Sequence, residues 1–467
     1  MSDRIDYICT KTIEWSLIFI IAAVPLIINP VAFDVWYRPK IISVYVLVII
    51  AGTAWILRVV FQDGSFARYN TPLTILLLLY LGAALLSTIF SIDVQLSLFG
   101  DSLRVEGFFS IVAYAALVFL FANQVVSQDL QEKLITGLII ATTLVSIYAL
   151  VQYSGYDPTE HFFYKYWRRG PGVGSTMGNQ NFLGKYLVLI IPIIFARCFY
   201  PVSRTGRLVA SVYLVLCFAA LMATFTRASW LSMVVSVITF LYLAFRFFLL
   251  AGKMKQLIVY LILLIAVGVI FNSYTFGNTA KNQSSFKRKE AGAVVKRTIS
   301  SLQLTEGRGV ATRLYVWEKA LYLIKKRPWL GYGLETFQIA FRPYNKDYIQ
   351  RFNDFTMVDR VHNNYLDTAV SMGLSGLAAY VVILASFLIY LWHLIKAIQG
   401  RTDRLFFIGI FSGFIGYLVN DLFIFSVVSV SPTFWSLMGL TLAAGNIARK
   451  EGNGIIRSVQ QSAVHAG

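Results

Sequence analysis

Apolar residues arrive in this chain in blocks of about twenty, the length at which an α-helix crosses the hydrocarbon of a bilayer. Such blocks lie near 14–33, 40–61, 71–90, 108–126, 133–153, 181–200, 207–226, 228–250, 255–275, 365–395, 404–425 and 429–448. A helix satisfies its own backbone hydrogen bonds inside lipid, and no set of short alternating segments offers the other solution, a closed barrel. Composition agrees: 57% of the residues are hydrophobic and 14% charged, where a soluble domain has roughly a quarter charged. The fold class expected is an all-α polytopic membrane protein with about 12 transmembrane helices. The first block, Trp15 to Phe33, lacks a small-residue cleavage site and reads as a retained helix.

Lys and Arg in the short loops set the orientation. With the N-terminus in the cytoplasm, inside segments hold about seventeen of them and short outside segments about seven. The chain then divides into helices 1–9 over 1–275, an external loop over 276–364, helices 10–12 over 365–448 and a cytoplasmic tail over 449–467. Both termini are expected in the cytoplasm. The net charge of +18 is mostly helix-end anchors and inside loops, so it argues for membrane lipid and against nucleic acid. The rest sits in the external loop, including Lys287-Arg288-Lys289. That loop holds one amphipathic helix, about Thr312 to Lys326, with Leu314, Trp317, Leu321 and Ile324 on its apolar side. Pro328 stops it. Cys9, Cys198 and Cys217 form no disulfide framework and no zinc spacing.

Three external positions stand out chemically. Arg227 lies in Thr226-Arg227-Ala228-Ser229-Trp230, at a tight turn between two nearly continuous spans. A snorkelling anchor is the bland alternative. Arg313, with Arg308 before it, falls in the first turn of the loop helix, where a cation opposes the helix dipole unless an anion sits between. Guanidinium matches phosphate with paired hydrogen bonds, whereas an Arg packing its stem on Trp317 would need no ligand. His362 lies in Arg360-Val361-His362-Asn363-Asn364-Tyr365-Leu366-Asp367, where Asn363 or Asn364 is expected to cap the tenth span. Beside a helix N-terminus its imidazole is expected to stay neutral and able to accept a proton. Of the other histidines, His393 and His465 fall on the cytoplasmic side, and His161 reads as part of an aromatic anchor. The chain has no H-E-x-x-H, P-loop, dinucleotide-binding glycines or Asp-x-Asp pair, so neither a cofactor nor a metal is expected.

His362-Asn363, nine residues, then Gly373-x-x-Gly376 resembles the pattern of the O-antigen ligase and O-antigen polymerase superfamily of bacterial envelope glycosyltransferases. Arg313-Leu-Tyr-Val-Trp317 followed by Pro328 and Gly331-Tyr-Gly333 is similar to that family's loop helix. Thr226-Arg227-Ala-Ser-Trp230 resembles its membrane-end Arg motif. Gly178-Asn179-Gln180-Asn181 and Gly100-Asp-Ser-Leu-Arg104-Val-Glu106-Gly107 are similar to two further external motifs.

The resemblance implies a fold like the GT-C glycosyltransferases. It implies a donor of undecaprenyl diphosphate-linked glycan and an acceptor such as lipid A–core, joined outside the cytoplasm without metal and with inversion. On that basis Arg227 and Arg313 grip the donor diphosphate, and His362 orients or deprotonates the acceptor hydroxyl. Arg104 and Arg308 are further phosphate contacts, and Asn179, Asn181, Asn363 and Trp317 are weaker substrate contacts. A turn role serves Asn179 and Asn181 equally well. The alternatives are a polysaccharide polymerase, a protein O-oligosaccharyltransferase and a flippase, the last of which would bury charges mid-span along a path.

Overall fold

The computed structural model describes residues 2–465 except 30–33, 62–72, 103, 158–171, 201–202, 279–307 and 356, with backbone alone for 2–3, 272–278, 308–309 and 450–465. His161 and Lys287-Arg288-Lys289 lie outside the described residues. Every described element is helical. Helix α1 (Ser2–Ile18) runs through a π turn into Val24–Leu26 and is followed by α2 (Arg38–Phe61), α3 (Thr74–Ile89), α4 (Val94–Phe99), α5 (Phe108–Gln124) and α6 (Gln128–Tyr153). Next come α7 (Gln180–Arg197), α8 (Arg204–Ala223), α9 (Arg227–Arg246) and α10 (Met254–Asn278). The loop region holds α11 (Arg308–Lys326), α12 (Phe337–Phe341) and α13 (Asn345–Phe352). The chain closes with α14 (Asn364–Ala397), α15 (Arg401–Asn420) and α16 (Ser431–His465).

All twelve apolar blocks are therefore helical. Nine helices among the described residues are long and apolar enough to cross a membrane, while α3 and α5 are shorter apolar helices. This is a polytopic membrane protein. Helix α16 continues well past the expected end at 448. Thr224 and Thr226, joined by a 2.8 Å hydroxyl bond, make the tight turn expected before Arg227.

Helix α7 is the centre of the bundle, buried from Phe182 to Ala196. It packs on α15, and α15 packs in turn on α9. A side chain at Gly413 would bring Cβ to 2.2 Å from Leu189 O, so glycine is what lets α7 and α15 lie this close. Lys40 is fully buried, because its ammonium caps the end of the first helix, donating to Pro25 O at 3.0 Å and Ile27 O at 2.5 Å.

A second apolar core lies in the loop lobe, where Tyr315, Val316, Leu323, Phe337, Phe341 and Val361 pack together. The apolar face of α11 differs from expectation. Tyr315, Ala320 and Leu323 are buried, whereas Leu314 and Leu321 are 54% and 50% exposed. The apolar stripe is wider than the contact, and its edge spills outward.

Helix α14 belongs to both cores. It breaks at Gly373 (φ 70°), the left-handed region that glycine adopts without strain. The break frees Val370 O and Ser371 O to accept from Tyr332 N and Gly333 N, each at 2.9 Å. A Cβ at Gly373 would sit 2.1 Å from Trp329 O. The glycine of the sequence pattern is thus the point where the chain after α11 docks across a broken helix.

Lys185 of α7 and Asp421 after α15 form a fully buried ion pair. Removing one partner of such a pair leaves an uncompensated charge, at a cost of roughly 3–5 kcal/mol. Lys185→Met should lower unfolding stability in detergent by about that much, and Lys185→Met with Asp421→Leu should recover most of it. Equal stability of the single variant and wild type would show that the pair contributes nothing.

Candidate active site

The site forms where the upper end of α14 meets the loop lobe and the turn after α15. Asn363 caps α14, its side-chain oxygen accepting from Tyr365 N at 3.0 Å and Leu366 N at 3.1 Å. His362 stands just before the cap with φ 56°, a conformation that costs a non-glycine residue roughly 1–3 kcal/mol. Neighbours on both sides hold it there. Trp317 Nε1 donates to Val361 O at 3.0 Å, and Val361 N donates to Asp367 Oδ1 at 3.3 Å. Trp317 therefore acts here through the backbone next to His362.

Asp367 Oδ2 also accepts from Arg360 Nη1 at 2.7 Å, and the other arm of that guanidinium donates to Glu335. Glu335 too has a positive φ, 63°. One buried arginine thus ties the strained Glu335 to Asp367, the carboxylate that holds the backbone next to His362. Burial works against its charge, but the carboxylates of Glu335 and Asp367, with Glu106 beyond, outweigh burial and raise its pKa. Burial pushes the Glu335 carboxyl upward despite Arg360.

Three groups lean on one ring. Phe425 has Arg104 Cζ at 4.7 Å and Arg360 Cζ at 5.3 Å from its centroid, with the His362 ring at 5.5 Å. Arg104 is ion-paired with Asp359 at 2.5 Å.

Burial, and then the charge of Arg313, lower the His362 pKa to about 4. The imidazole is neutral at ordinary pH, as expected, but burial and Arg313 are the causes rather than the helix start. Its Nδ1 is buried without a hydrogen-bond partner. Arg313 is itself half-buried; burial and the neighbouring Arg227 lower its pKa. Two cations that feel each other's charge, one of them half-buried, favour an anion between them.

The helix-start argument moves from one arginine to the other. Helix α11 is already helical at Arg308, ahead of Thr312, so Arg313 lies beyond the first turn. Arg227 is the first residue of α9, so it is the cation beside free helix N–H groups. Arg308 opens α11, and its side chain lies outside the described residues.

Asn179 caps α7, its side chain accepting from Asn181 N at 2.8 Å, which is the turn role. Asn181 is half-buried in the first turn of α7.

Lys185, Glu335 and Phe425 were not singled out from sequence, and Glu106, Arg360 and Asp367 were only quoted within motifs. Lys185, a cation inside an apolar block, was the one with its own signal. It holds Asp421 and reaches Phe425 O at 3.4 Å, so it fixes the ring on which the site leans. Lys40, Lys185 and Asp421 all lie at the site end of their helices, so they form no path through the bundle.

Below Arg360 is a polar cavity of about 80 Å³, lined by Glu106, Glu335, Asp367, Asn364 and Ser371 among others.

With this geometry in place, the class is a polytopic helical membrane protein with a site of histidine and arginines at one end of its bundle. Residues 212–381 match the family model described as O-antigen ligase, and the chain carries a domain of that family. The matched stretch contains Arg227, Arg313, Trp317, His362 and Gly373; Arg104, Glu106, Lys185 and Phe425 lie outside it. No curated protein matches the chain.

Burial pushes the Glu106 carboxyl up from 4.5 to about 7. The folded state therefore keeps a proton that the unfolded chain releases, and the stability this gives is present below about 4.5 and lost as pH rises to about 7. Glu106→Gln, a neutral mimic, should match wild type near pH 5 and exceed it near pH 8, by on the order of 3 kcal/mol. Parallel stability–pH curves for the two proteins would rule this out.

Proposed function

We propose that this protein is a glycosyltransferase that moves a glycan from undecaprenyl diphosphate to a glycan acceptor, lipid A–core or its equivalent, on the external face of a bacterial inner membrane. One observation carries the reading: a half-buried, neutral imidazole, its Nδ1 shielded and without a partner, lies in the field of Arg313, which itself feels the charge of Arg227. A proton acceptor beside an anion clamp is what displacement of a diphosphate requires. The O-antigen ligase match over the same residues supports it.

The orientation proposed has twelve crossings and both termini in the cytoplasm. Helices 1–9 lie within 1–275, the external loop over 276–364, helices 10–12 within 365–448 and the tail over 449–467. The loop lobe and His362 then face outward, where ATP is absent and the donor must already be activated.

In the reaction, the acceptor hydroxyl oxygen attacks the anomeric carbon of the donor glycan and its proton passes to His362. The bond from that carbon to the diphosphate breaks, and the diphosphate leaves with the electron pair. Arg227 and Arg313 stabilise the charge that develops on it, and attack opposite the leaving group inverts the anomeric centre. The positive field of Arg104 at His362 is offset by its partner Asp359.

His362→Ala should reduce transfer by roughly 10²–10⁴-fold. Arg313→Lys keeps the charge but loses the planar fork, and should cost roughly 10²-fold. Purified protein, undecaprenyl diphosphate-linked glycan and lipid A–core in EDTA provide the assay. Full activity of either variant at equal protein level would defeat the assigned role. Longer lipid-linked glycan without added acceptor would move the assignment to polymerase.

The pH profile gives a separate check. Below about 4 the free enzyme's imidazole is protonated, so kcat/KM should stay level down to pH 5 and fall below 4. The acid limb of kcat should lie higher, because the bound diphosphate offsets Arg313. A kcat/KM limb near 6.5, the ordinary value, would show that His362 is not the group titrating.

A further inference from the structure

An apolar groove of about 540 Å³ runs between α3 and the lower part of α14. Leu79 and Leu86 of α3 and Ala379 and Val382 of α14 line it, and Leu330 from the turn after α11 lines it too. Gly82 lies in its wall, and a Cβ there would meet no atom within 4 Å. From Leu86 to Leu76 the groove follows ten residues of helix, about 15 Å. That is half of a hydrocarbon core of roughly 30 Å, the depth of one leaflet.

Charge collects at one end of this groove. Lys325, Lys326 and Arg327 end α11 and are exposed, and Trp329 is 71% exposed. The backbone ties them to the groove wall: Leu374 N donates to Pro328 O at 2.6 Å, and Ser375 Oγ donates to Trp329 O at 2.5 Å. Three cations with an exposed indole, above an apolar slot one leaflet deep, are complementary to an anionic amphiphile.

The donor does not fit here. Its diphosphate belongs at Arg227 and Arg313, and from Arg313 to Lys326 α11 spans about 20 Å at 1.5 Å per residue. The first isoprene units of a donor so held begin far from Lys325. The other amphiphile of the reaction is the acceptor.

We propose that this groove and cation cluster form a second lipid site, which seats a lipid-anchored acceptor by its phosphates on Lys325, Lys326 and Arg327 and by an acyl chain between α3 and α14. The assignment to acceptor rests on the transfer reading above. The acceptor's sugars then extend along α11 towards His362.

Binding to the full-length protein in detergent tests this, read by native mass spectrometry with three probes: diphosphorylated lipid A, undecaprenyl diphosphate and phosphatidylglycerol. Two variants alter exposed or open positions and should fold: Gly82→Leu, which fills the groove, and Lys325→Glu with Lys326→Glu and Arg327→Glu. Each should weaken lipid A binding by about tenfold or more. Undecaprenyl diphosphate binding should stay within about twofold, since its phosphates are held elsewhere. Loss of undecaprenyl diphosphate binding in Gly82→Leu would place the donor chain in the groove and overturn the proposal. Phosphatidylglycerol binding as tightly as lipid A, and lost in parallel, would make it an ordinary lipid groove and also overturn it. Unchanged lipid A binding in both variants would do the same. If wild type binds lipid A in the groove but no undecaprenyl diphosphate, the transfer reading fails while the second lipid site stands.

Discussion

The buried Lys185–Asp421 pair is the interaction on which the rest of the site depends. Two charges taken out of water must satisfy each other and their remaining valences. Here they do so by recruiting neighbours. Asp421 O accepts from Asn364 N at 2.8 Å, and its carboxylate meets Tyr380 OH at 3.2 Å. Lys185 sits 4.3 Å from the centre of the Tyr417 ring and reaches the Phe425–Ser426 turn. Ser426 N returns to Asn364 Oδ1 at 3.0 Å. The start of α14 and the Phe425 turn are thus fixed to each other and to the central helix. His362 is the residue but one before Asn364, and Phe425 is the ring it leans on, so the pair sets the floor of the site.

On that floor, the site spends conformational strain. His362 and Glu335 both hold backbone conformations that a side chain disfavours, and both are reached through Arg360. Such strain persists only where surroundings over-determine it. A satisfied Asn363 cap on one side and a bridging guanidinium on the other supply that. The positive groups come from three distant stretches of chain, Arg104, Arg227 and Arg313. Only the folded bundle gives them a common field.

Features set by local physics were legible in the sequence. Block length alone placed the twelve helices, because a bilayer has one thickness. The Asn363 cap followed from residue type at a helix start. The position of Gly373 was legible as a pattern, but not its cause, which is the backbone of Trp329 lying across the helix. What pairing in three dimensions decides was not legible. Nothing local links Asp421 to Lys185, 236 positions earlier, or Arg360 to Glu335. The apolar stripe of α11 was misread by about one residue, roughly 100° around the helix, because Leu314 and Leu321 are as hydrophobic as the residues that pack.

Helix α11 is pinned at its middle, by Trp317 to the chain before His362, and at its end, by the turn after Arg327 to the break in α14. A rod fixed at two points has one length, so it works as a gauge. On the acceptor placement proposed above, an acceptor anchored at its foot must carry enough sugar to climb to the imidazole, and a truncated one stops short however well it binds. Selection of a finished acceptor over an unfinished one then needs no pocket that recognises the terminal sugar; the height of a single helix does the measuring.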